Sequence, residues 1–404
     1  MKFRQLSFIV LICFAINLIL GGTGYAAHEG QSQKNEDTEK VLKHVFFIIL
    51  EGVSSKDLRS AYTPNISGIA ASGIQGSAIG VLPETTEAFL VALLKGQMPE
   101  VNTGNAIRND QLAVGSLPAL LDSSGRSSVF IDDGRKSFDA LFRGLKRYRV
   151  KEQINIKEID QAVVDLAIDK FSQKHPFFMG LILPGTELTR KSRDSTTKKT
   201  MVALNRADEQ VGKLLRELRS QGLFENSLIV ITGSATYNDA GQGDWTIENN
   251  MLPLIMTGPG LKTGIQAPPA RIIDVAPTVA LLVGVYLNPH PDGLVLWNFL
   301  LAGEGFTEAN LMKKRLTELS SAHIDSITEI YRLNHEKASI NIAKERINKE
   351  KREVEDKINR KQEEVNRLRF KLNAFKMTGI MFLLVVGAGY IVEYYILRRK
   401  FLMF

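Results

Sequence analysis

Apolar runs and helical patterns alternate along residues 41–301. Short apolar runs typical of buried strands are HVFFIILEG, SSVFIDDG, PFFMGLILPG, LIVITG and LPLIMTGPG. Segments with helical spacing of apolar residues are SLPALLDSSG, IDQAVVDLAIDKFSQ, MVALNRADEQVGKLLRELRSQG and DVAPTVALLVG. Strands that alternate with helices predict an α/β fold with a central, mostly parallel sheet flanked by helices.

Function in such sheets gathers at the carboxyl ends of the strands. In this chain those ends are Glu51, the turn after Leu183, and Ser234. The candidate site is therefore expected where these three points meet.

From about residue 307 the pattern changes to a long, charged helix without proline. One heptad position holds Ile347, Val354, Leu368 and Phe375, the other holds Ile358, Val365 and Leu372, and Lys351 and Lys361 interrupt the seam. Such a repeat predicts a coiled-coil stalk over residues 305–376 and a homo-oligomer. The alternative is a single solvated helix held by pairs of charges four residues apart.

The two ends of the chain indicate export and a membrane anchor. Residues 377–397 are apolar over the length of a bilayer-spanning helix, and a basic tip at 398–404 follows, which favours a cytoplasmic C-terminus. Residues 1–27 have a basic start, an apolar run and small residues at the end, which predicts a signal peptide. The alternative there is an uncleaved anchor.

The predicted order is a signal peptide (1–27), a polar linker (28–40), an α/β domain (41–304), a stalk (305–376), a transmembrane helix (377–397) and a tip (398–404). The body then lies in the periplasm or outside the cell, attached to the membrane by its C-terminal helix. The only cysteine, Cys13, falls in the predicted signal peptide, so the mature chain would have no disulfide. This fits a bacterial envelope protein.

The net charge of +7 does not indicate a nucleic-acid partner. Residues 305–404 contain 20 Lys and Arg against 13 Asp and Glu, and the remainder has 31 of each. The basic excess belongs to the stalk and the tip.

Two threonines, Thr85 and Thr86, stand at the start of a predicted helix in PETTEAFLVALLKGQMP. A hydroxyl at this place lies among free amide donors, which favour an anion or an activated alkoxide. The simpler interpretation is that one of them caps the helix.

The whole of residues 41–301 resembles the alkaline phosphatase superfamily, in its sulfatase-like, lipoteichoic-acid-synthase-type branch. The pieces that carry the resemblance occur in the family's order. They include FFIILEG, TPNISGIAASGI, PETTEAFLVALLKGQMPE, SLPALLDSSGRSSVFIDDGRKSFDALFRGL, HPFFMGLIL, ALNRADEQVGKLLRELRSQGLFENSLIVITG, LPLIMTGPGLKTG and IIDVAPTVALLVGV.

The resemblance implies a hydroxyl nucleophile activated by one or two divalent metals. Glu51 matches a metal ligand and Thr86 matches the nucleophile, which is itself a ligand. An Asp-His ligand pair is expected directly after LIVITG, where this chain has Ser234 and Ala235. A substrate-contacting histidine is expected near Glu187. Half of the ligands are therefore missing.

Acidic residues after the missing pair could act as surrogate ligands, namely Asp239, Asp244 and Glu248. An oxygen-only site of this kind would favour Mn or Mg. The alternative is a solvated loop, and His44, His175 and His290 are interpreted as structural.

Three functions stay open at this point. The preferred hypothesis is a catalytically degenerate pseudoenzyme without a cofactor, which binds a protein or glycan partner or acts as a scaffold. The second is an active metal-dependent hydrolase or transferase of phosphate or sulfate esters, with Thr86 as nucleophile and one divalent metal on Glu51. The third is a purely structural envelope component.

Overall fold

The computed structural model describes residues 41–99, 112–150, 154–234, 247–287, 291–303 and 307–401. The predicted signal peptide and linker, Ala235, Asp239, Asp244 and His290 lie outside the described residues.

A single mixed sheet forms the centre of the α/β domain, in the order β4-β3-β5-β1-β6-β7-β2-β8, with β9 paired to β2. The strands are β1 (His44–Leu50), β2 (Ile74–Ile79), β3 (Ser128–Asp132), β4 (Arg147–Arg149), β5 (Phe178–Leu183), β6 (Ser227–Gly233), β7 (Met251–Thr257), β8 (Ile265–Gln266) and β9 (Ala270–Arg271).

The central strand β1 is buried along its whole length, and its side chains alternate between two apolar layers. Val45, Phe47 and Ile49 belong to one hydrophobic cluster, and the residues between them belong to the other. This period of two, with helices covering both faces, explains why the strand is apolar without interruption.

The helices of the described residues are α1 (Ser55–Ser60), α2 (Pro64–Ser72), α3 (Thr86–Lys95), α4 (Leu117–Ser123), α5 (Ser137–Leu141), α6 (Ile159–Lys174), α7 (Gly185–Lys191), α8 (Thr197–Ser220), α9 (Val275–Val283) and α10 (Glu308–Phe401). Short 3₁₀ turns occupy Phe224–Asn226, Ile272–Asp274 and Trp297–Phe299. The predicted α/β class, with a mostly parallel sheet, is confirmed.

One half of the sheet departs from the parallel pattern. β1, β3, β4, β5 and β6 run parallel to one another, whereas β7 is antiparallel to β6 and β2 is antiparallel to β7. The apolar run of β7 predicted the strand but not its direction, because a fully buried strand has the same composition in either direction. The strand β2 was not predicted, since its sequence IQGSAI is only half apolar.

Two buried aspartates, Asp208 and Asp274, have structural roles. Asp208 accepts hydrogen bonds from the backbone N–H groups of Asn65 (3.2 Å) and Ile66 (2.8 Å), at the start of α2. Asp274 pairs with Arg271 at 2.9 Å and with Arg315 at 3.4 Å.

The helix α10 is continuous from Glu308 to Phe401. The compact unit that contains the sheet extends to Glu318, and Leu311 is buried within it. Residues 319–404 form a second unit. Among the described residues, α10 is the helix that is long and apolar enough to cross a membrane.

Candidate functional site

Four parallel strands bring polar side chains to one edge of the sheet. Glu51 directly follows β1, Asp133 follows β3, Glu187 lies on α7 after β5, and Ser234 follows β6. Because β1 lies between β5 and β6, and β3 lies beside β5, the carboxyl ends of these strands are neighbours. The structure therefore assembles a polar cluster where the sequence predicts the site.

The centre of this cluster is the guanidinium of Arg135. Its Nη1 donates to Oε1 of Glu51 at 3.0 Å, and its Nη2 donates to Oε2 of the same carboxylate. Its Nε and Nη2 each lie 3.0 Å from an oxygen of Asp133, and Nη1 lies 3.6 Å from Oε2 of Glu187. Every guanidinium nitrogen thus faces a carboxylate, and we call these four residues the Arg135 cluster.

The pKa values of the cluster follow from burial and from these ion pairs. Glu51 is fully buried, and burial raises its pKa, while the permanent charge of Arg135 and its two hydrogen bonds favour the ionised carboxylate. Burial would also raise the pKa of Glu187, but Lys191 at 2.5 Å and Arg135 lower it overall. The pKa of Arg135 is raised, since Glu51 and Asp133 outweigh its burial. The cation at the centre is permanent.

Arg135 is held in place by the turn that follows β3. Gly134 adopts a left-handed φ of 83°, which lets the chain reverse directly after Asp133. The guanidinium lies over the ring of Phe138 at 4.7 Å, a cation–π contact. The backbone carbonyl of Arg135 accepts a hydrogen bond from Arg147 at 3.1 Å. The side chain is therefore fixed from its backbone to its tip.

Two glycines allow close backbone contacts that hold Glu51 and Glu187 in position. Gly52 has φ +70°, and a Cβ there would meet the Cα of Glu187 at 3.0 Å. At the start of α7, the N–H of Gly185 donates to Asp160 at 2.8 Å, and a Cβ on this glycine would meet the Asp160 carboxylate at 2.4 Å. Both glycines bring the carboxylates of the site closer than another residue would allow.

Thr86, the expected nucleophile, is brought to the site. It is buried in the first turn of α3, close enough to Glu51 for its side chain to oppose the rise in the pKa of that carboxyl group. Thr85 is the N-cap of this helix, with its Oγ1 accepting from the N–H of Ala88 at 3.1 Å. Thr85 therefore caps the helix, and Thr86 lies at the site.

Ser234 is buried at the site, whereas Glu248 lies at the surface. Ser234 is fully buried next to β1, where its N–H donates to the carbonyl of Leu50 at 3.1 Å. Its Oγ has no hydrogen-bond partner among the described residues. Glu248, a proposed surrogate ligand, lies at the surface and pairs with Lys56 at 3.3 Å.

From the sequence, neither Arg135 nor Asp133 is identified as a site residue, because Asp133 falls in the predicted strand SSVFIDDG and Arg135 only follows it. A basic residue directly after the carboxyl end of a central strand, in FIDDGRKSF, was the available signal. His44 was correctly read as structural, since its Nδ1 lies 2.9 Å from the carbonyl of Pro176 near the amino ends of β1 and β5.

Comparisons with known proteins agree with this architecture. The chain is 27% identical over 221 residues to lipoteichoic acid synthase 1 of Bacillus subtilis (strain 168), which covers 44% of this chain and 35% of that protein. It is 31% identical over 97 residues to choline-sulfatase of Rhizobium meliloti (strain 1021), covering 22% of this chain and 19% of that one. The chain thus spans about a third or less of the length of these relatives. No protein-family model matches the sequence.

The fold agrees as well. The solved structure of a 2-O GAG sulfatase superposes with a TM-score of 0.52 at 15% identity, over 63% of this chain and 73% of that one. The sequence relatives support the alkaline phosphatase superfamily, in its lipoteichoic-acid-synthase-like branch, as the family that this chain resembles.

The residues of this site do not fit the divalent metal that the resemblance implies. Hard cations need several oxygen donors directed at one point. Here the carboxylates of Glu51, Asp133 and Glu187 are directed at the guanidinium of Arg135 instead. Within the described ranges, no three His, Cys, Asp or Glu side chains are grouped so that they could hold a metal ion.

Arg135→Met should destabilise the domain by about 3–5 kcal/mol, because it leaves buried carboxylates without their counter-ion. The measurement is chemical denaturation of the detergent-solubilised full chain, followed by intrinsic fluorescence. The control is Arg143→Met, whose side chain is exposed and should change the free energy of unfolding by no more than about 0.5 kcal/mol. Equal effects of the two substitutions would show that the Arg135 cluster does not stabilise the fold.

Asp160→Asn should flatten the dependence of stability on pH. Burial raises the pKa of Asp160 to about 6, against the opposing hydrogen bond from Gly185 and the charge of Arg206. The pKa of an Asp in the unfolded chain is about 3.9, so the folded chain binds this proton more tightly than the unfolded chain does. The free energy of unfolding therefore falls as pH rises from about 4 to 6. The two-unit difference corresponds to about 3 kcal/mol at neutral pH.

The check is the free energy of unfolding from pH 4 to 8 for the wild-type chain, Asp160→Asn and Asp165→Asn. Asp165 lies on the same helix but is 45% exposed and pairs with Lys213, so its variant should keep the wild-type slope. A wild-type slope in Asp160→Asn would contradict the assignment.

Proposed function

We propose that this chain is a membrane-anchored, extracytoplasmic pseudoenzyme of the alkaline phosphatase superfamily, which serves as a binding or scaffold module. The observation that carries the proposal is the Arg135 cluster, in which a guanidinium takes the place of a metal ion at the carboxyl edge of the sheet. The chemistry of this edge supports the proposal in three ways.

The first is the state of the expected nucleophile. Activation of a threonine hydroxyl needs a base or a metal that stabilises the alkoxide. The neighbour of Thr86 is Glu51, a carboxylate already paired with Arg135, and a guanidinium cannot accept a proton. Thr86 is left as a neutral alcohol.

The second is the missing pair of ligands. Ser234 supplies a neutral hydroxyl in place of a carboxylate, and alanine at position 235 has no donor atom. Neither side chain can supply the charge and the strong oxygen or nitrogen donor that a catalytic metal requires.

The third is the charge of the cluster. Three carboxyl groups, those of Glu51, Asp133 and Glu187, face two cations, Arg135 and Lys191. Because Arg135 directs every nitrogen to a carboxylate, it has none to offer to the oxygens of an ester. An anionic phosphate or sulfate ester would meet no excess of positive charge here.

A second candidate function is metal-dependent hydrolysis or transfer with Thr86 as nucleophile. The proximity of Thr86 to Glu51 favours it, since these are the two residues that match the superfamily's nucleophile and metal ligand. Under this alternative Arg135 must leave Glu51 when a metal binds.

The purified full chain, dialysed in turn against Mn²⁺, Mg²⁺ and Zn²⁺, should hold much less than one equivalent of metal. Its hydrolysis of p-nitrophenyl phosphate and p-nitrophenyl sulfate should be no faster than that of Thr86→Val, which keeps the volume of the side chain and removes the hydroxyl. Near-stoichiometric metal that is lost in Glu51→Gln, or a rate that collapses in Thr86→Val, would favour the active enzyme.

Membrane anchoring by α10 has its own test. A chain ended after Lys376 should move from the membrane fraction to the soluble fraction, because the apolar segment is removed. A chain ended after Leu397 keeps this segment, loses only the basic tip and serves as the matched control. Retention of the shorter chain in the membrane would show that another segment anchors it.

A further inference from the structure

The stretch of α10 from Leu333 to Phe375 repeats every seven residues, and it lies wholly within the second unit. One seam position, d, holds Leu333, Ile340, Ile347, Val354, Lys361, Leu368 and Phe375. The other, a, holds Lys337, Lys344, Lys351, Ile358, Val365 and Leu372. The seam is therefore longer than the apolar pattern alone indicated, and its first half combines aliphatic residues at d with lysines at a.

The apolar members of this seam are exposed, from 40% at Val365 to 80% at Phe375. An exposed stripe of mainly aliphatic residues on an otherwise charged helix is unfavourable in water and is typical of a helix that packs against another. The repeat of seven, sustained over six heptads, is the spacing that two helices share when they supercoil.

We infer that this seam is covered by a second copy of the chain, which forms a parallel, in-register, two-stranded coiled coil. The parallel direction rests on the membrane anchoring proposed above. α10 continues without a break from the seam into its apolar segment. Two copies inserted with the same orientation bring identical residues to the same height above the bilayer.

The lysines at position a favour two strands. In a parallel pair, an a side chain lies beside the preceding g residue of the other helix, and its long stem packs while its ammonium reaches water. Lys337 would then lie beside Glu336 of the second copy, and Lys351 beside Glu350 of the second copy. In a three-stranded coil the ammonium groups would converge on the axis without partners.

The charges along the helix agree with this arrangement. Lys351 already lies 3.8 Å from Glu355 of its own helix, at the neighbouring e position. In register, Glu364 at g would face Arg369 at e of the second copy, an opposite-charge pair. The membrane-proximal part, from Val354 to Phe375, has Lys361 as its only polar seam residue and supplies most of the apolar contact.

The test is cysteine cross-linking of the full chain in its own membrane, in a Cys13→Ser background that has no other cysteine. Leu368→Cys lies at d, and Phe370→Cys lies two residues away at f, on the outer face. Both side chains are apolar and exposed, 65% and 76% respectively, so they form a matched pair. Mild oxidation should link Leu368→Cys into dimers at least about fivefold faster than Phe370→Cys, because only the seam brings two Cβ atoms within disulfide reach.

Equal rates for the two variants would overturn the coiled coil, and so would the absence of a cross-link in either variant. Efficient linking only between cysteines at different positions along the helix would also overturn it, because the helices would then be out of register. The mass of the purified full chain in detergent gives the strand number, and a trimer would overturn the two-stranded form. Cross-linking is measured in the membrane fraction. A chain that is found in the membrane but does not cross-link therefore contradicts the dimer without contradicting the anchoring, so the two failures are distinguishable.

Discussion

The edge of this sheet at the carboxyl ends of its strands depends on one partly buried cation, Arg135, which faces all three of the carboxyl groups there. Three carboxyl groups from three strand ends are gathered there, and desolvation of each costs several kcal/mol without a counter-ion. Arg135 supplies the counter-ion from within the chain, and it is itself fixed by a left-handed glycine turn and by the ring of Phe138. The cluster can therefore assemble on folding without an external ion.

Under the proposed function, the interaction that stabilises the edge also leaves no place for a catalytic metal. In a metal-dependent site, a divalent ion neutralises acidic side chains and still keeps positions open for a substrate. A guanidinium neutralises by hydrogen bonds that use its own donors, so pairing with Glu51, Asp133 and Glu187 leaves none for an incoming anion. On this proposal, Thr86 and Glu51 serve the packing of the domain and not a reaction.

Much of this could be predicted from the sequence, because strand ends in a parallel sheet meet at one edge. The apolar runs predicted β1, β5 and β6, and with them the positions of Glu51, Glu187 and Ser234. The direction of β7 could not be predicted, since buried strands look alike in both directions. Arg135 could not be predicted either, because its reach to Glu51 depends on the turn at Gly134 and on packing across 84 residues of sequence.

The most direct test of this account is the melting temperature of the full chain as Mn²⁺ or Mg²⁺ is titrated against a sample in EDTA. Any ion that binds the folded state raises its stability in proportion to the logarithm of its concentration above the dissociation constant. If Arg135 is the resident cation, the melting temperature should stay the same in EDTA and in millimolar metal. A melting temperature that keeps rising with the logarithm of the metal concentration, and that no longer rises in Glu51→Gln, would contradict the account.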